Sequence, residues 1–184
     1  MRVSILGPLE VEADSGALEI GGLRVRALLA VLALEAGRPV TAERLIDLLW
    51  AEKPPANAAN ALQTLVKRLR AGLRPHAAVE SRAGGYLLTV DPERVDAHRF
   101  ARLAKEGAAD QALGLWRGPA LADLTAVPYL AGVAARLEEE RLTTVEAGAA
   151  KRLARGEPVD LSEAVAANPL RERLCALAVR SLAA

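Results

Sequence analysis

The sequence predicts an α+β N-terminal half followed by an all-α half, and three observations carry that prediction. Short β-prone runs flank three helix-forming stretches within the first 92 residues, the pattern changes to almost unbroken helical periodicity near Val95, and the stretch from Asn60 to Leu73 carries two opposed faces at helical spacing. A length of 184 residues suits two small units, 1–92 and 93–184. Units of this size bury a core with a slim margin, so the halves are expected to pack together.

At the N-terminus, V-S-I-L-G-P-L-E-V-E-A and A-L-E-I predict short strands broken by Gly7-Pro8 and Ser15-Gly16. Arg24 to Ala36 is rich in Leu and Ala and is followed by Gly37, which reads as a buried helix with a glycine stop. Thr41 opens the next helix, T-A-E-R-L-I-D-L-L-W, as a good N-cap, and Glu43 favours the positive end of its dipole. Pro54 and Pro55 stop that helix and can sit at the entry of the third.

In the third helix, Leu62, Val66, Leu69 and Leu73 form an apolar stripe that must pack on a core. Asn60, Gln63, Thr64, Lys67, Arg68 and Arg70 remain for the outer side. Amide and hydroxyl groups can read base edges and cations suit phosphates, a combination that a helix in a DNA major groove requires. A solvated surface is the plainer account of such a face in an isolated helix, and the flanking elements decide against it. Val79 to Val90 reads as two β-prone runs around Gly84-Gly85, a tight hairpin following the helix as a wing, with Arg82 at its flank within reach of phosphate or minor groove. No phosphate-loop motif surrounds the two glycines.

From Asp96 onward, V-D-A-H-R-F-A-R-L-A, A-A-D-Q-A-L-G-L-W-R-G-P-A-L and a long run from Pro128 to Arg155 are helical in pattern. Alanine-rich helices spaced by Gly and Pro fit antiparallel hairpins stacked as in TPR-like solenoids.

The formal net charge is only +1, but its distribution is uneven. Between Lys67 and Arg82 five basic residues face a single acid, Glu80, whereas the chain after Val90 balances 13 basic against 14 acidic residues. A local basic patch is what a docking face for nucleic acid needs. The sequence shows no leader pattern and no apolar run long enough to span a bilayer, so a cytoplasmic address without a membrane partner is expected.

Nothing in the chain points to an enzyme, a metal or a cofactor. His76 and His98 lack catalytic or ligating partners at motif spacing and read as turn or surface residues. Glu138-Glu139-Glu140-Arg141 reads as a solvated helix face with local ion pairs. The single cysteine, Cys175, reads as a buried apolar residue, and Trp50 and Trp116 as core anchors.

Taken together, G-P-L-E-V, R-V-R-A-L-L-A-V-L-A-L-E-A-G, V-T-A-E-R-L-I-D-L-L-W, P-P-A-N-A-A-N-A-L-Q-T-L-V-K-R-L-R and G-G-Y-L-L resemble the OmpR-type winged helix of the SARP family of antibiotic-pathway activators. In the second half, A-L-G-L-W-R-G-P-A-L-A-D-L and N-P-L-R-E-R-L resemble the bacterial transcriptional activation domain that follows the winged helix in that family, here shortened. The resemblance implies a regulator, an activator of a secondary-metabolite gene cluster, that binds direct repeats in promoter DNA as side-by-side copies, a homodimer on DNA. It also implies contact with RNA polymerase holoenzyme, to be sought at the turn Ala51 to Ala56 and on the helical half. The alternative is a protein- or ligand-interaction module in which the winged helix is a scaffold, since fold alone does not fix function.

Overall fold

The structure is a computed structural model that describes residues 1–76 and 78–182. Strands β1 (Arg2–Ser4), β2 (Glu10–Ala13) and β3 (Gly16–Ala17) form an antiparallel sheet in that order. Helix α1 (Leu23–Leu34) follows, then the short strand β4 (Val40–Thr41), α2 (Ala42–Trp50) and α3 (Ala58–Gly72). Strands β5 (Val79–Arg82) and β6 (Gly85–Leu88) make the hairpin. The second half consists of a 3-10 turn at Pro92–Arg94 and helices α4 (Asp96–Lys105), α5 (Ala109–Leu113), α6 (Pro128–Leu153), α7 (Ser162–Ala167) and α8 (Glu172–Leu182). The α+β winged helix followed by a helical region is thus the architecture that the sequence patterns predict.

Helix α1 is apolar around most of its circumference, and residues Ala27 to Ala33 are all buried. A helix of that kind belongs at the centre of a fold. Helices α2 and α3 pack on it through Leu45, Leu49, Leu62, Val66 and Leu69. Thr41 caps α2 as expected, its Oγ1 accepting from Arg44 N at 3.2 Å. The prolines of the α2–α3 connection lie ahead of the third helix, whose N-cap is Asn57.

The strand β4 is an element that the sequence patterns did not announce. It joins the hairpin in the order β4-β6-β5, with Val40 opposite Tyr86 and Thr41 opposite Gly85. Gly85 is required there by space: a Cβ at this position would lie 2.0 Å from the carbonyl oxygen of Val40. The glycine pair therefore splits its work. Gly84, at φ 75°, makes the turn, and Gly85 is a strand residue that admits β4.

One apolar core runs through both halves, from Val3 and Leu28 to Phe100, Leu124 and Leu137. The junction is polar as well as apolar. Buried Asp96, at the start of α4, accepts the N–H groups of Ile5 at 2.8 Å and Leu6 at 3.0 Å. Burial pushes its carboxyl above the usual range, while those two bonds and the Arg117 guanidinium at 3.9 Å pull the other way.

Residues 114–127 form the other side of the junction, and here the helical expectation for A-L-G-L-W-R-G-P-A-L needs correction. Helix α5 stops at Leu113, and the chain beyond it is irregular up to Val127. Its backbone is engaged with the N-terminal strand region: Arg117 N donates to Leu6 O at 2.8 Å and Leu121 N to Ile5 O at 3.0 Å. Asp123 accepts from Leu9 N at 2.8 Å and from Arg26 Nε at 2.9 Å. A helix would have consumed these backbone groups internally.

Helix α6 serves two cores. Leu130, Val133 and Leu137 belong to the main cluster, and Ala149 packs with Leu161, Leu174 and Leu177 in a second, smaller one. Glu140 and Glu138 form local pairs with Arg136 and Arg141, but the run also reaches further than a solvated face would. Glu138 accepts Ala120 N at 3.1 Å, and Glu139 binds Arg171 at 2.7 Å. Arg171 also binds the buried Glu146, which tethers the α7–α8 hairpin to α6.

Two smaller expectations change. Cys175 is half-buried, its Sγ 3.6 Å from Pro169 O, because α8 turns Leu174 and Leu177 inward instead. His98 is half-buried too, with Nε2 donating to Ala33 O at 3.0 Å across the junction. Trp50 and Trp116 are partly buried against the core as expected, Trp116 edge-on to Phe100 at 5.4 Å.

Replacing Asp96 with alanine leaves two interior N–H groups without acceptors, each worth about 1–3 kcal/mol. The expected loss is roughly 2–6 kcal/mol of stability, read as a lowered midpoint in urea unfolding monitored by far-UV circular dichroism.

Candidate nucleic-acid interface

The exposed face of α3 is built from the capping residue upward. The Asn57 side chain accepts Asn60 N at 3.0 Å, which satisfies a free donor of the first turn and sets the helix axis. Leu62, Leu65, Val66 and Leu69 are buried, and Asn60, Gln63, Thr64, Lys67, Arg68 and Arg70 are exposed. The structure thus gathers all six helix residues named from the sequence on one accessible face.

Their surroundings differ in ways that spacing could not reveal. Thr64 Oγ1 donates to Asn60 O at 2.9 Å, so its hydroxyl is turned back along the helix while its oxygen remains an acceptor. Among the described residues, Lys67 and Arg68 have no side-chain hydrogen bond or ion pair. Arg70 is engaged: its Nε donates to Val79 O at 2.9 Å, its Nη2 to Ser81 Oγ at 3.0 Å, and its guanidinium lies 6.0 Å from the Tyr86 ring centre.

Arg82 ends strand β5 beside the two-residue turn Ala83-Gly84 and pairs with Glu80. Both partners are about half exposed, so the pair is a weak competitor: surface ion pairs contribute about 0–1 kcal/mol. The wing tip is fixed from the opposite side by Ala42 N, which donates to Gly84 O at 2.9 Å.

Gln63, Lys67, Arg70, Arg74, Ser81 and Tyr86 line a shallow cleft between helix and wing. Arg74 was not among the residues selected from the sequence. Its signal was present, since it follows Lys67 by seven residues and so falls on the same side of the helix as Lys67 and Arg70, but it lies beyond the last helical residue. Among the described residues no group of three or more His, Cys, Asp or Glu side chains could hold a metal ion. No helix among them is long and apolar enough to cross a membrane.

A capped helix presenting amides and cations, with a hairpin beside it and a helical unit fused behind, defines a winged-helix regulator of the two-part bacterial type. Residues 22–88 match the family model described as "Transcriptional regulatory protein, C terminal", and residues 94–184 match "Bacterial transcriptional activator domain". The chain is 34% identical to the regulatory protein DnrI of Streptomyces peucetius over 96% of its own length and 75% of that protein. It is 39% identical to the transcriptional regulator RedD of Streptomyces coelicolor over 96% of its length and 57% of that protein. The structure of Mycobacterium tuberculosis EmbR in complex with a low-affinity phosphopeptide superposes with a TM-score of 0.83 at 28% identity, covering 98% of this chain and 54% of that one. The chain therefore belongs to the SARP family of transcriptional regulators. It spans between about half and three quarters of the length of these relatives.

Substituting Asn57 with alanine removes the cap that fixes the start of α3. Stability is expected to fall by about 0.5–2 kcal/mol, measured as a drop in thermal midpoint, whereas Arg82→Ala is expected to change it by less than about 0.5 kcal/mol.

Proposed function

We propose that this chain is a sequence-specific DNA-binding regulator, an activator of a secondary-metabolite gene cluster, that docks α3 in the major groove of promoter direct repeats. Unit 1–92 docks and unit 93–184 supplies the surface for RNA polymerase holoenzyme, together with the turn Ala51 to Ala56. The protein works in the cytoplasm, binds as paired copies on adjacent repeats, and catalyses no reaction. The observation that carries this reading is the single face on which Asn60, Gln63, Thr64, Lys67, Arg68 and Arg70 stand exposed above a fully apolar inner stripe. Among them Gln63 and Thr64 are the base-reading groups. Gln suits the edge of adenine and the Thr methyl suits that of thymine, with Asn60 at the same end of the helix. Lys67, Arg68 and Arg70 hold phosphates, and Arg82 serves from the wing. Names of the relatives support regulation of this kind, since RedD is a transcriptional regulator and DnrI a regulatory protein.

A second reading, an interaction module with the winged helix as scaffold, is disfavoured by Lys67 and Arg68, whose side chains make no hydrogen bond or ion pair among the described residues and so do not serve to hold a scaffold together.

The test is binding to duplexes selected by the protein from a random pool, followed by anisotropy across a salt series. Arg68→Ala is expected to weaken all duplexes alike and reduce the slope of log K against log salt by about one. Gln63→Ala is expected to lose roughly 1–3 kcal/mol of discrimination at one base pair while keeping the slope. Failure of the wild-type protein to enrich any sequence over the random pool, with its circular dichroism intact, would overturn the reading in favour of the scaffold.

A further inference from the structure

The cations of the α3 face and its C-terminal extension fall into two kinds. Lys67, Arg68 and Arg74 reach solvent with no side-chain hydrogen bond or ion pair among the described residues, but Arg70 is bound to the wing at three points. Two of these, Val79 O and Ser81 Oγ, lie on β5, and the third, the Tyr86 ring, lies on β6 directly opposite Ser81. The order β4-β6-β5 makes β5 an edge strand, held by β6 on one side. Strand β6 has a second support in β4, through Val40 and Thr41. Strand β5 has Arg70, and Arg82 stands at the end of β5, three residues from the carbonyl that Arg70 holds.

We propose that Arg70 is a positioning residue that clamps the edge strand of the wing to the recognition helix, so that Arg82 reaches DNA only while this clamp is closed. The proposal rests on the DNA-docking reading and revises the part of it that would make Arg70 a direct phosphate contact. A guanidinium is suited to the task. Its planar fork donates to a carbonyl and a hydroxyl at once while its face lies against an aromatic ring, which an ammonium cannot reproduce. Rigid wing placement matters because a strand-end cation must meet a phosphate or groove whose position is fixed relative to the helix already seated in the duplex.

The experiment compares wild type, Arg70→Ala, Arg70→Lys, Arg82→Ala and the double variant Arg70→Ala/Arg82→Ala on one duplex selected by the wild type from a random pool, again as a salt series. Amide hydrogen exchange of the free proteins is measured alongside. If Arg70 acts through Arg82, the two alanine variants and the double variant weaken binding by the same factor, about tenfold, and lower the salt slope by the same single unit. Arg70→Lys behaves like Arg70→Ala, and both speed exchange in β5 at least tenfold while leaving α1 unchanged. An additive loss in the double variant with a slope reduced by two, or binding restored by lysine, would make Arg70 a phosphate ligand and overturn the clamp. Unchanged exchange in β5 would overturn it without any DNA present. Absence of selective binding by every protein would instead remove the DNA reading, with the exchange measurement still deciding whether the clamp exists.

Discussion

The peptide groups of Ile5 and Leu6 lie in the interior, and the bonds they make reach across the chain. Their N–H groups go to Asp96 and their carbonyls accept from Leu121 and Arg117. An interior backbone group without a partner costs as much as a lost hydrogen bond, so this short strand end cannot be buried unless the second half is in place. The Arg26–Asp123 pair and the Val3–Val95 bridge lie on the same seam. The change of sequence pattern near Val95 marks a change of architecture, while the core continues through it. The orientation of α3 relative to the helical half follows from that continuity, because α1 packs against both the junction and α3 itself.

Much of this arrangement was legible in the residues. Helical spacing in α3 gave the correct inner and outer faces because a long amphipathic helix with four large apolar residues has one way to bury them. Thr41 as N-cap and the hairpin around Gly84 were readable for a similar reason: local chemistry decides them. What could not be read depends on partners distant in sequence. Strand β4 is two residues long and exists because Gly85 lets it approach, and nothing in Val40-Thr41 alone distinguishes it from loop. Gly114 to Leu121 looks helical in pattern, yet the N–H groups of Arg117 and Leu121 are claimed by the carbonyls of Leu6 and Ile5, over a hundred residues earlier. Tertiary demand overrode propensity there.

The site was legible to a similar depth. Spacing identified which side chains stand on the outer face, and it could not tell a free cation from an engaged one. Lys67 and Arg70 look equivalent in sequence and differ in the structure because β5 passes beside only one of them. Glu80 and Arg82, two apart on one strand, fall on the same side of the sheet, so their pairing follows from strand geometry once the hairpin is known. A basic surface assembled this way is graded: some of its charge is available at once, some is shared with a carboxylate, and some is bound within the fold.

Helix α6 gives the molecule a fixed internal ruler. Its 26 residues extend about 39 Å at 1.5 Å per residue, with one end in the shared core and the other carrying the α7–α8 hairpin on Arg171 and Glu146. Inserting one residue in its middle would advance the far end by about 1.5 Å and swing it by about 100°. A partner gripping that hairpin would then meet it on a different side of the protein. Length and phase of this one helix, more than the composition of the hairpin it carries, therefore set where the distal surface points relative to the exposed face of α3.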